Sequence, residues 1–374
     1  MQFKISTQEL IYLLNKVQNV VPPKASIPLL NNFLLEAKNN ELILTATDLT
    51  VSVRCVAEVE IIKEGSTTLP AKRLCQLIRE LISPTVEFST NSHHVTNLTS
   101  GTSRFKINGM SAEEFPALPD LSDAHGFSMS QKELKEILQS TAFATSKDDN
   151  RYVLTGVLMH IVDNKVNFIG TDGKRLAKTY KPLNVDPSYE SQSIIPYKAV
   201  EEICKNLLDE GSATIAITPE KMGFQIDHTL IITKLLSGDY PDIKRVIPEK
   251  SEIVVLLHKD ELISLLRQVD LFTSDVYQST RFTFETGELK LSTNTMELGE
   301  GHVSMPMNYQ GEKLDIAFNP AFFIDILRHC KQDVVTLGIT DSYNPGIILD
   351  GDQTGNLLEA SPLFVIMPMR LSEV

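Results

Sequence analysis

Tryptophan is absent from the sequence and cysteine is scarce: Cys55, Cys75, Cys204 and Cys330 stand far apart, with no Cys-x-x-Cys pair. That spacing argues against a disulfide framework or a zinc site and predicts four reduced, mostly buried thiols in a cytoplasmic protein. No run of about 18 apolar residues occurs, which argues against a membrane-spanning helix. The opening MQFKISTQEL lacks a basic region, an apolar stretch and a small-residue cleavage site, so neither secretion nor membrane association is expected. Glycine and proline, 18 each in 374 residues, are too few for a collagen-like or disordered chain. Positive charge is also short. A formal net charge of −13 speaks against a protein that grips nucleic acid by neutralising phosphates.

Catalytic signatures are missing too. GTDGKR (170–175) lacks the G-x-x-x-x-G-K-[ST] pattern of a phosphate loop and precedes no clear helix. His93-His94 has no third ligand nearby and reads as a solvated strand or turn rather than a metal site. There is no G-x-S-x-G, no H-E-x-x-H and no Cys-His pair that reads as a catalytic one. The expectation is a protein that is not an enzyme and uses no metal or cofactor.

What the sequence does contain is repetition. FKISTQELIYLLNKV (3–17), FSMSQKELKEILQST (127–141) and VVLLHKDELISLLRQV (254–269) each run from an alternating strand into a helix that begins Glu-Leu. Ser6 with Glu9, and Ser130 with Glu133, form capping boxes at two of these starts. A second strand-to-helix element recurs at Thr67, Ser193 and Ile316, each with a proline (Pro70, Pro196, Pro320) placed in the first helical turn. Between the two helices of each repeat lies a hairpin, with Asn39-Asn40, Asp163-Asn164 and Thr286-Gly287 as its turns. The length allows two or three domains, and the repeats divide the chain into 1–122, 123–250 and 251–374, three copies of one α+β domain.

Each helix carries an apolar stripe, such as Leu10, Leu13, Leu14 and Val17, that should cover one sheet face and leave edge strands to pair with neighbours. Three copies in a row suggest an arc, and two arcs joined head to tail with two-fold symmetry would close a ring. Twelve helices about 9 Å apart trace a circle roughly 35 Å across, with about 24 Å free inside, enough for duplex DNA.

The threefold plan, together with RFKINGMSAEEFPALP, TDGKRLA, GDYPDIKRVIP and the closing VIMPMRL, resembles the bacterial β sliding clamp family, the processivity subunit of the replicative DNA polymerase. The resemblance spans essentially the whole chain. It implies three tandem clamp domains, a homodimeric ring held on duplex DNA by topology, and therefore no need for a basic exterior. It further implies a pocket for short linear motifs of the polymerase catalytic subunit, the clamp loader, other polymerases and repair factors. Carried over residue by residue, the walls of that pocket are Leu154, Thr171, Gly173, Lys174, Arg175, Leu176, Pro241, Arg245 and Val246, with Asn319, Phe322, Val365, Ile366, Met367, Pro368, Met369 and Arg370.

Arg175, Arg245 and Arg370 are expected to hydrogen-bond a peptide, and Met367 and Met369 to repack around different partners. Implied DNA contacts are Lys24, Lys72, Arg73, Lys147, Arg151, Tyr152 and Lys198, with Lys16, Arg79, Lys132, Lys135, Lys205, Lys259, Arg267 and Lys331 as further helix cations that could face the pore. At the dimer interface, Arg104, Phe105 and Ile107 would meet Leu271 and Phe272. Lys174 stands where many clamps have histidine, Asp148 replaces a neutral polar residue, and the tail runs on through Ser372, Glu373 and Val374. The alternative is a scaffold of tandem domains that binds linear peptides and no DNA.

Overall fold

The computed structural model describes all residues except 25, 184, 187–188, 275–277, 354–358 and 372–374, so the final Ser372, Glu373 and Val374 lie outside the described residues. Six α-helices occur among the described residues: α1 (Thr7–Val17), α2 (Ala71–Arg79), α3 (Gln131–Ala142), α4 (Tyr197–Asn206), α5 (Lys259–Asp270) and α6 (Pro320–Arg328). Each follows a strand, as the repeats predict. Ser6 Oγ accepts the Glu9 N–H at 3.4 Å to start α1, and the stripe Leu10, Leu13, Leu14 and Val17 is buried. Burial of such side chains stabilises by roughly 1.5–3 kcal/mol each, far more than the cap.

The three prolines do not sit alike. Pro320 occupies the first turn of α6, behind the Asn319 cap, whereas Pro70 and Pro196 are still extended and precede their helices as caps. In these two repeats the strand runs up to the proline itself, whose missing N–H is needed by neither strand edge nor helix. The hairpin turns are where expected: Asn39, Asn40, Asp163 and Asn164 all have φ between 51 and 61°, the left-handed pair that matches strand twist.

Two compact units make up the chain. The first comprises Met1–Glu136 with Ile195–Leu236, the second Ile137–Ile194 with Ser237–Val374. Each contains an eight-stranded antiparallel sheet assembled from two repeats. In the first unit the seam is strand Val51–Glu58 against Thr229–Lys234, with Val53 opposite Ile231. In the second it is Arg175–Pro182 against Leu363–Ile366. The first unit adds a five-stranded sheet ending in Ser103–Asn108, the second a four-stranded sheet ending in Gly299–Pro306. Pairing therefore satisfies strand edges that single repeats would leave open.

Cys55, Cys75 and Cys330 are buried and Cys204 partly so, all unbridged. Burial pushes the thiols of Cys55, Cys204 and Cys330 up to about 12. No described helix is long and apolar enough to cross a membrane.

Candidate functional site

GTDGKR is a hairpin turn joining strands Lys165–Thr171 and Arg175–Pro182. Asp172 Oδ1 accepts the N–H groups of Lys174 (2.9 Å) and Arg175 (3.0 Å), and Thr171 Oγ1 donates to the Arg175 carbonyl at 2.6 Å. Gly173 has φ +82°, which a side chain would resist. The turn presents Lys174 outward and leaves Arg175 8% exposed.

Each nitrogen of the Arg175 guanidinium makes one hydrogen bond within the second unit. Nε donates to Asp172 Oδ2 (3.2 Å), Nη1 to Asp325 Oδ2 (2.8 Å) and Nη2 to the Phe143 carbonyl (3.1 Å). Its carbon lies 4.6 Å from the Phe322 ring centroid and 5.4 Å from that of Phe143. Arg175 is thus a brace that fixes the turn against α6. Arg245 and Arg370 remain exposed, Arg245 with Asp242 at 3.2 Å.

The apolar tail has a matching geometry. Strand Leu363–Ile366 is inserted between Arg175–Pro182 and Gly346–Asp350, with Leu176 opposite Val365 and Arg175 opposite Ile366. Beyond it the Met367 N–H donates to the Lys174 carbonyl (2.9 Å) and the Met369 N–H to the Ala317 carbonyl (2.7 Å). The tail thus crosses from the eight-stranded to the four-stranded sheet of this unit, and Pro368, between the two bonds, has no N–H to leave unpaired. Met367, Pro368 and Met369 stay half-buried.

The tail separates two groups of the expected wall residues. Asn319 and Phe322 lie at the start of α6, where Asn319 Oδ1 accepts the Ala321 and Phe322 N–H groups (2.9 and 3.3 Å). Lys174 Nζ is 5.9 Å from the Phe322 ring centroid. Thr171, Leu176 and Val365 belong to the sheet face turned away from α3, since it is the alternate residue Thr179 that meets Ser140 of α3 at 3.0 Å. The segment bearing Pro241, Arg245 and Val246 passes over strand Lys165–Thr171, where the Tyr240 hydroxyl donates to the Ile169 carbonyl at 3.3 Å. Burial pushes that hydroxyl above the ordinary tyrosine range. Leu154 is buried, and its carbonyl accepts the Ser146 N–H at 2.8 Å.

Asp172, Asp325 and Phe143 were missed in the sequence. The Asp172–Arg175 spacing was readable, but Asp325 and Phe143 meet Arg175 only through the fold. A cavity of about 430 Å³ borders Arg175 and Phe322 on one side and Lys147 and Arg151 on the other. Arg151 Nη1 donates to the Asp172 carbonyl at 2.7 Å, so a residue expected to approach DNA also holds the turn. Asp148 caps the short helical turn Asp149–Thr155, accepting from the Asn150 N–H at 3.0 Å, a local reason for an acid there.

The other expected contacts differ in freedom. Lys24, Lys72 and Arg73 are exposed, and Tyr152 is 55% exposed. Lys198 is ion-paired with Asp48. Lys16 donates to the Asn206 carbonyl (3.2 Å), Lys205 to Glu202 (2.9 Å), and Lys135 lies 3.5 Å from Asp209. On strand Ser103–Asn108, Phe105 is 37% exposed but Ile107 only 3%. Ile107 is therefore a core side chain of the first unit, a correction to its expected place on the dimer surface. Arg104 is exposed, 3.5 Å from Thr99 Oγ1. In the second unit Leu271 is 76% exposed, while the Phe272 ring rests on Gly301, where a β-carbon would lie 2.9 Å from it.

Comparison with known proteins completes the picture. Models of the N-terminal, central and C-terminal domains of the DNA polymerase III beta subunit match residues 1–119, 128–242 and 244–370. The beta sliding clamp of Chlamydia pneumoniae is 49% identical over the full length of both chains, and that of Haemophilus influenzae 29% identical over 99% of this chain and all of that one. The solved sliding clamp of Bartonella birtlesii superposes with a TM-score of 0.93 at 30% identity, covering 99% of this chain and 100% of its own. The Bacillus subtilis clamp, at 24% identity and full coverage of both chains, gives 0.93 and shows the same fold. The scaffold alternative is not favoured by these relatives. With three clamp domains in tandem, the chain belongs to the beta sliding clamps, the non-catalytic beta subunits of DNA polymerase III that confer processivity in replication.

Proposed function

We propose that two copies of this chain close head to tail into a ring around duplex DNA in the cytoplasm and tether the replicative polymerase to it. In this reading the working domains are 1–122, 123–250 and 251–374, and topology rather than affinity retains the ring. The observation that carries it is the pairing of strands across repeats at two successive seams. Two further seams of the same kind, each between Ser103–Asn108 of one copy and Gly299–Pro306 of the other, would complete the circle. Phe105, Arg104, Leu271 and Phe272 flank those edges. Lys24, Lys72, Arg73, Lys147, Arg151, Tyr152 and Lys198 would make sliding contacts with phosphates, and an acidic exterior suits a protein that must not stick to DNA elsewhere.

The test is retention. Loaded on a nicked circular plasmid by a matching clamp loader and ATP, the protein should stay bound and then leave rapidly once the plasmid is cut. A clamp known to load is the control. Persistence on linear DNA with open ends, or no loading where the control loads, would overturn the ring.

The surface between the tail and the start of α6, we propose, receives linear motifs of the polymerase catalytic subunit, the clamp loader and repair factors. Flexible Met367 and Met369 suit one surface to several partners. Met369→Ala is expected to weaken a labelled motif peptide about tenfold in fluorescence anisotropy, about 1.4 kcal/mol, while the Met369 N–H still ties the tail to the Ala317 carbonyl. Unchanged affinity would remove Met369 from the binding surface.

A further inference from the structure

The sheet face that carries Thr171, Leu176 and Val365 continues beyond them. One step along, Ile169, Lys178 and Leu363 stand side by side, and a step further Asn167 and Tyr180 do, with His160 opposite Asn167. Each step is two residues, roughly 7 Å. Lys165 lies on the same face, its Nζ 5.0 Å from the Tyr180 ring centroid, and Lys244 is carried over this face on the segment that also bears Arg245 and Val246.

Lys178 is half-buried, and burial followed by the charges of Lys165 and Lys244 pulls its ammonium below the ordinary lysine range. His160 is likewise held low, by burial and by Lys244 and Lys178, against the opposing pull of Glu190 and Asp163. Those two carboxylates act on the imidazole. None of the described ion pairs joins a carboxylate to Lys165, Lys178 or Lys244. A chain of net charge −13 has acids to spare, yet half-buried Lys178 and exposed Lys165 and Lys244 form none of the described ion pairs, and Asp242 on the Lys244 segment is engaged by the Lys244 N–H at 3.1 Å and by Arg245 Nε at 3.2 Å. A half-buried ammonium beside two like charges costs free energy that an arriving anion would relieve.

Resting on the peptide-pocket reading above, we infer that Lys165, Lys178 and Lys244 form a cationic shelf that receives acidic residues flanking the anchor of a partner's linear motif. The shelf borders the pocket on two sides, through the sheet rank Thr171–Leu176–Val365 and through the segment Lys244–Val246. Leu176 and Val365 are 2% and 1% exposed and form the floor of this surface, and an extended peptide lying over them reaches Lys178 within two or three residues at about 3.3 Å each. The shelf selects partners by the charge of their flanks, while the pocket reads the anchor.

The experiment compares two labelled peptides that share an apolar Leu-Phe anchor, one flanked by three glutamates and its twin by three glutamines, by fluorescence anisotropy on the full chain. At low ionic strength the glutamate peptide should bind about tenfold tighter, and the advantage should vanish in K178Q/K244Q and in about 0.5 M salt. The glutamine peptide should bind both proteins equally. Equal binding of the twins by the unaltered protein, or an advantage that survives in K178Q/K244Q, overturns the shelf and leaves the pocket standing. Failure of both peptides to bind overturns the pocket, and the shelf with it. Should oligothymidylate bind the unaltered protein but not K178Q/K244Q while the twins bind alike, the surface serves nucleic acid and the inference fails.

Discussion

Replacing Leu271 and Phe272 together by lysine is expected to give a folded chain that sediments as a monomer. Leu271 is 76% exposed at the end of α5, so in the single chain its apolar surface contributes little, whereas in the proposed dimer it would be covered. Burying a leucine is worth about 2–3 kcal/mol, and a ring of two copies contains the contact twice. Loss of about 5 kcal/mol corresponds to a dissociation constant roughly 10³ to 10⁴ times larger, before the cost of burying an ammonium is added. Phe272 is a less clean probe because its ring also covers Gly301. Leu271→Lys alone therefore serves as the companion variant, with an unchanged melting curve expected. Sedimentation velocity at micromolar concentration decides the matter: a double variant that runs as a dimer would dismiss this edge as the interface.

Arg175→Ala should be the most damaging single substitution at the turn. It removes three charge-assisted hydrogen bonds at once, to Asp172, Asp325 and the Phe143 carbonyl. Asp172 is left 15% exposed without its partner, while Asp325, at 40%, can turn to water or to Arg328 3.4 Å away. Breaking a buried pair costs about 3–5 kcal/mol, and the partial exposure of Asp325 brings the expectation to about 2–3 kcal/mol. Lysine should rescue little, because a point charge cannot reproduce the planar fork between two carboxylates and two rings. Hydrogen exchange should localise the loss to residues 137–194 and 237–371 and spare the first unit. A variant that unfolds at the same denaturant concentration as the parent would show that the brace carries no weight.

What the sequence revealed and what it hid follow physical range. The starts of α1 and α6 and the left-handed Asn39-Asn40 and Asp163-Asn164 turns are decided within a few residues, and they were legible. So was the triplication, because one supersecondary unit repeated leaves the same pattern of caps and stripes. Contacts between distant segments were not. Nothing near Arg175 announces Asp325 or Phe143, or that the side chain braces the turn. Ile107 alternates with polar neighbours as an exposed edge residue would, and only its position against the first unit's core shows that it is covered. Lys198 reads as a free helix cation until Asp48 appears beside it. The Met-Pro-Met tail lay between these cases. Its apolarity was plain, but the hydrogen bonds to Lys174 and Ala317 that suspend it between two sheets were not.

The seam between Arg175–Pro182 and Leu363–Ile366 also bears on how the protein is made. Residues 1–136 and 195–236 complete the first unit, so it can fold while the ribosome is still translating the rest. Strand Arg175–Pro182 emerges early yet has no neighbour on one side until residues 183–362 have been synthesised. During that interval a strand edge stands open to other nascent chains. Strand Val51–Glu58 of the first unit waits in the same way for Thr229–Lys234, so the biogenesis of both units depends on translation speed and on chaperone protection, even though the finished protein hides every trace of the wait.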